Sequence, residues 1–171
     1  QYHFVVDKDI DMTGLVLPPI GTTDNPFIGS FDGRDHLISN LTVSNTISED
    51  GITKYPSGIS SLSGVDIVGM FGVVGNYNDV VNYEYDSSLI DISNLYLDKV
   101  TVKSAEENSL MGLLFGYINE GDATNIDIGQ GNLEVAKNVK PLDTYTEISK
   151  YSIIGDFNEA KKLWTEINNV V

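Results

Sequence analysis

The stretch Phe27–Val43, "FIGSFDGRDHLISNLTV", decides how this chain is read. It holds two glycines, a His, and two aspartates on either side of the chain's only Arg. Such a cluster suits either an acid–base site or one turn of a repeating scaffold. Recurrence separates the two, because scaffold grammar repeats along a chain.

Parts of the stretch do recur. Gly-x-(Phe/Leu) stands at Gly29, Gly69, Gly112 and Gly155, each preceded by an apolar residue. The separations are 40, 43 and 43 residues (69−29, 112−69, 155−112). A second pattern, apolar-x-Asn-apolar, reads "ISNLTV" from Ile38, "ISNLYL" from Ile92 and "ATNIDI" from Ala123, with a partial "INNVV" from Ile167. From Gly to Asn the copies run 11, 25, 13 and 14 residues (40−29, 94−69, 125−112, 169−155). The long copy contains "NYNDVVNYEYDSS", Asn76–Ser88, which reads as an insertion. The spacing predicts a unit of about 40 residues in four copies, the last incomplete. Only "DGRDH", Asp32–His36, belongs to one copy alone.

Inside the unit, Leu41 and Val43, Leu95 and Leu97, and Val100 and Val102 alternate as strands with one buried side do. Ile38 and Leu41 are three apart, so a bend at Asn40 is needed for both to face inward. Asn tolerates the left-handed backbone such a bend uses. Stacked Asn side chains in successive copies would hydrogen-bond as a ladder; the alternative is an ordinary turn Asn. The four glycines fit positions of positive φ or of close backbone approach. Short strands at a fixed period predict an all-β fold, a parallel β-helix (β-solenoid) whose coils stack in one domain over residues 1–171. "SEDGITKYPSGISSLSG", Ser48–Gly64, reads as a second long excursion. Asp156–Trp164 has a short helix's pattern, with Asp156 and Glu159 as a capping box and Phe157, Ala160 and Trp164 on one face.

Composition narrows the function. With 25 acidic against 10 basic residues the net charge is −15. That disfavours nucleic acid and anionic membrane surfaces, which need clustered Lys and Arg. There are no cysteines, so disulfides and thiolate metal sites are excluded. No apolar run approaches the ~18 residues of a membrane helix. The chain begins with Gln and shows no signal peptide, which suggests a piece of a longer polypeptide.

"DKDIDMTGLVLPPIG" followed by "PFIGSFDGRDHLISNLTV" resembles the opening of bacterial surface proteins built from GLUG-type repeats. Asp9, Ile10, Asp11, Pro19, Ile20 and Gly21 match the first part of that pattern. Phe27, Gly29, Phe31, Asp32, Gly33, His36, Ile38, Asn40 and Leu41 match the second. Val68–Gly72 and Met111–Gly116 look like the repeat's Gly-Leu core, and Asp35 departs from a common Gly. The resemblance implies a right-handed parallel β-helix, as in adhesins, accessory regions of secreted peptidases and phage fibres. It carries no catalytic residues.

Three groups are candidate sites. Asp7, Asp9 and Asp11 begin like a calcium loop, but Met12 stands where Gly is required and Pro18 where Glu is. They read as a solvated face of an edge strand. Asp32, Arg34, Asp35 and His36 offer paired carboxylates of the kind glycosidases use. Against that, Asp-Gly is a turn pair, and Arg34 has an aspartate on either side to pair with. In the insertion, Tyr77, Asp79, Tyr83, Glu84 and Tyr85 form the candidate ligand-binding set, since projecting loops with Tyr and polar residues make recognition surfaces. No catalytic residue, metal or cofactor is expected. The function expected is a non-catalytic module of a bacterial surface-exposed, extracellular or virion protein. It would recognise a host receptor, a glycan or neighbouring domains, or act as a rigid spacer, with no nucleic-acid partner and no membrane insertion. The alternative is a polysaccharide lyase or hydrolase.

Overall fold

The computed structural model describes residues 1–45, 67–76, 79–104, 110–135 and 168–170. Among these the fold is all-β, and every strand pairing is parallel. The expected excursion Ser48–Gly64 and the expected helix Asp156–Trp164 lie outside the described residues.

The chain visits the same sheets in the same order on successive passes. A first pass lays down β1 (His3–Val5), β2 (Ile10–Asp11) and β3 (Val16–Leu17). The next lays β4 (Ser30–Asp32), β5 (Leu37–Ser39) and β6 (Thr42–Ser44) beside them in that order. β7 (Ile67–Val68) and β8 (Phe71–Val74) follow. In the third pass β9 (Asp91–Asp98) pairs with β4 through its first half and with β5 through its second. β10 (Val100–Ser104) lies on β6, β11 (Leu110–Met111) on β7, and β12 (Phe115–Ile118) on β8. β13 (Asp122–Ile128) and β14 (Gly131–Val135) then cover β9 and β10, and β15 (Asn168–Val170) pairs with β13.

The alternation read in the sequence is the cause of this packing. Leu41, Val43, Leu95, Leu97, Val100 and Val102 are all buried in one cluster. Paired strands bring like side chains together: Phe71 pairs with Phe115, their rings 6.0 Å apart. The bends work as the Asn spacing requires. Asn40, Asn94 and Asn125 have φ of 57, 50 and 53°, and the apolar residues before and after each are buried. Close approach rather than positive φ explains two of the recurring glycines. A Cβ at Gly29 would lie 2.3 Å from the Tyr2 carbonyl oxygen, and one at Gly69 2.7 Å from the Gly116 nitrogen.

The alignment of the copies needs correction. Ile92 pairs with Phe31, and Ile38 pairs with Leu97, so "ISNLTV" and "ISNLYL" are out of register. Asn40 bonds to the carbonyl of Asp98, next to Lys99, which also has positive φ at 56°. Asn94 stacks instead on Asp32 and Asn125. The pass length follows suit: His3 meets Ser30 at a separation of 27, and Asn94 meets Asn125 at 31. The Gly29–Gly69 separation of 40 matches glycines at different bends, whereas Gly69–Gly112, at 43, spans a true pass in which Met111 pairs with Val68, lengthened by the long β8–β9 connection.

Candidate recognition site

Between β12 and β13 the chain turns in three residues, Asn119–Gly121. At the equivalent place between β8 and β9 it runs from Gly75 to Ile90. The β8–β9 connection, which holds the segment read as an insertion, is therefore the longer of the two. It is tied down at both ends. The Asn76 backbone N–H donates to Glu120 at 3.1 Å, and the Asn119 amide donates to the Asn76 carbonyl at 2.7 Å. The Asn76 side chain closes the loop on itself, bonding both the N–H and the carbonyl of Val81. At the far end Asp86 caps a 3-10 turn, Ser87–Leu89, through Ser88. Its backbone exchanges two hydrogen bonds with the Gln1 side chain, at 2.7 and 2.9 Å.

The candidate residues divide. Tyr77 lies outside the described residues. Asp79, Tyr83 and Glu84 are exposed, Tyr83 at 63%. Asp79 has positive φ, 57°. Tyr85 is the departure: it packs against the core, and its hydroxyl donates to Glu120. Burial, with the Glu120 carboxylate beside it, pushes the Tyr85 phenol up to about 12. It anchors the loop, although its edge also borders a shallow depression with Glu84 and Asp86.

Tyr83 lines a groove that the sequence reading missed. The other walls are Tyr2, Phe4, Pro26 and Phe27, with Asn25 at hand, and the volume is about 310 Å³. The rings run in series, Tyr2 to Phe4 at 6.2 Å and Phe4 to Phe27 at 6.0 Å. The available signal was the alternation of Tyr2, just before β1, with Phe4 within it, which puts both on one side. Their meeting with Tyr83 is a long-range contact that spacing does not encode.

The "DGRDH" segment is a corner. Asp32 pairs with Ser93 and Leu37 with Tyr96, so four residues stand where the next pass uses Asn94 and Leu95. The extra length is taken up by a tight turn. Arg34 and Asp35 both have positive φ, 49 and 59°, and the His36 N–H bonds to the Gly33 carbonyl at 2.9 Å. Gly33 is obligatory, since a Cβ there would lie 2.2 Å from the Asn94 carbonyl oxygen. Asp32 accepts from the Asn94 amide at 3.0 Å and from the Arg34 N–H at 2.8 Å. Those two bonds, Asn94 first, hold its carboxyl below the usual carboxylate range. The Asn125 amide bridges Asn94 and Asp35, at 2.9 and 3.2 Å. The side chain of Arg34 reaches neither neighbouring aspartate; it pairs with Asp7 at 3.4 Å.

Asp7, Asp9 and Asp11 are exposed, but they are more than a solvated strand face. Each ties the first pass to the second. Asp9 accepts from the Leu37 N–H at 3.0 Å and lies 3.2 Å from His36 Nδ1. Asp11 accepts from Thr13 and from the Asn40 amide, at 2.6 and 2.8 Å. These bonds, led by Leu37 for Asp9 and Thr13 for Asp11, lower both carboxyls. Only Asp11 lies within a strand, while Asp7 and Asp9 precede it. Among the described residues no three His, Asp or Glu side chains converge on one point. No described helix is long and apolar enough to cross a membrane.

No family model, curated protein or solved structure matches the chain.

Proposed function

We propose that this chain is a right-handed parallel β-helix module that recognises a partner through the loop at Asn76–Ser88. The fold half of the reading is supported by the order of pairing, in which successive passes lay β1–β2–β3, β4–β5–β6 and β9–β10 side by side. The likeness of Asp9–Leu41 to GLUG-type repeats supports it too, and with it an extracellular, bacterial-surface or virion setting. The observation that carries recognition is the loop itself. A three-residue turn suffices one pass later, yet here a long segment is built, braced by Glu120 and Gln1, and left with Tyr83 and Glu84 in solvent. Loops on a rigid frame are where binding resides.

A polysaccharide lyase or hydrolase is the second reading, because Asp7, Asp9, Asp32, Arg34 and Asp35 do gather on adjoining passes. Their chemistry favours the first. Asp9 and Asp32 each accept hydrogen bonds that favour the ionised form and lower the pKa, whereas a glycosidase's general acid needs a raised pKa.

The test is a deletion of residues 76–88. It leaves Gly75, Leu89 and Ile90 between β8 and β9, the length of the Asn119–Gly121 turn. Binding of the parent chain to host cells or immobilised glycans should vanish, with cooperative unfolding preserved. Retained binding would move recognition away from the loop. Release of sugar fragments by the parent chain would establish the enzyme instead.

A further inference from the structure

We draw no further inference here: the strongest candidate, the surface patch on β5 and β9 where exposed Leu37 pairs with Tyr96 between Asp9 and Asp127, carries nothing, because Asp9 is already bonded to Leu37 and His36 and nothing in the structure shows what covers the two apolar side chains.

Discussion

Two bends in this chain carry the same four letters. Ile38–Leu41 and Ile92–Leu95 both read "ISNL", and both turn on an Asn at positive φ between buried apolar residues. They occupy different corners of the fold. Asn94 is held on both sides, donating to Asp32 and accepting from Asn125. Asn40 donates to Asp11 and stacks beside the Asp98–Lys99 bend. The tetrapeptide specifies a local shape, and the flanking strands decide which corner receives it. A left-handed residue between two inward-facing apolar side chains solves the same problem wherever a flat strand must turn around a core.

Charging the core beside either bend should have the largest effect. Leu95 and Leu41 are 0 and 1% exposed. Leu95→Asp and Leu41→Asp should each cost several kcal/mol by burying an unpaired carboxylate, and should abolish cooperative unfolding. Leu37, in the same strand system but 38% exposed, should accept Asp within about 0.5 kcal/mol. Thermal unfolding followed by circular dichroism reads all three. A normal transition for Leu95→Asp would refute the register of β9.

Replacing the bend residues sharpens the contrast. Asn94→Ala loses a left-handed preference and a two-sided hydrogen-bond link, and should cost about 2 kcal/mol. Asn40→Ala loses the same preference but one exposed bond, and should cost about 1 kcal/mol. Asn94→Gly restores the backbone alone, so its recovery relative to Ala measures the bend and its remaining deficit against Asn measures the ladder. Equal urea midpoints for Asn94→Ala and Asn40→Ala would show that the Asp32–Asn94–Asn125 stack adds nothing beyond the bend.

The bends and the loop should also fail at opposite ends of the pH scale. Asp9, Asp11 and Asp32 have folded pKa values below their ordinary one, so the folded state binds protons less readily. Their stabilisation is complete above about pH 4 and is lost as pH falls through the folded values. Asp32→Asn should flatten that acid limb. Tyr85 is raised, to about 12 from 10. Its contribution is complete below pH 10 and is lost as pH rises towards 12. Ultraviolet titration should show a phenol ionising near pH 12, and Tyr85→Phe should remove it. A phenol near pH 12 that persists in Tyr85→Phe would detach the loop anchor from Glu120.

Much of this was legible in the sequence, because it depends on neighbours along the chain. The buried alternation at Leu95–Leu97 and Val100–Val102, the inward bend at Asn40 and the insertion after Gly75 all follow from local spacing. Register does not. Gly29 and Gly69 look alike but serve different close approaches, to Tyr2 and to Gly116, so matching them produced a false period. The candidate site was half visible for the same reason. Tyr83 stands out as an aromatic in a polar insertion, whereas Tyr2 and Phe4 join it through long-range contacts, the pairing of β1 with β4 and the Gln1–Asp86 hydrogen bonds. Tyr85 looked equivalent to Tyr83, and only the position of Glu120 across the bend turns it inward.

The smallest effect belongs to the residue that first drew attention. Arg34 is flanked by two aspartates in sequence, but its guanidinium pairs with Asp7 at 3.4 Å, the two side chains 50 and 92% exposed. Solvent screens such a pair, and its net contribution is at most about 0.5 kcal/mol. The Arg34 backbone matters more, because its N–H serves Asp32 and its φ is positive. Arg34→Ala keeps a Cβ at the same left-handed position and should therefore cost little from either charge or backbone. Arg34→Gly keeps the turn and should be nearly neutral or stabilising. Urea unfolding of the two variants at low and high salt separates the terms. A clear loss in both variants, shrinking with salt, would return weight to the side chain. The expected result makes "DGRDH" a wider corner of the same kind as Asn94, with two added residues and two left-handed positions in place of one.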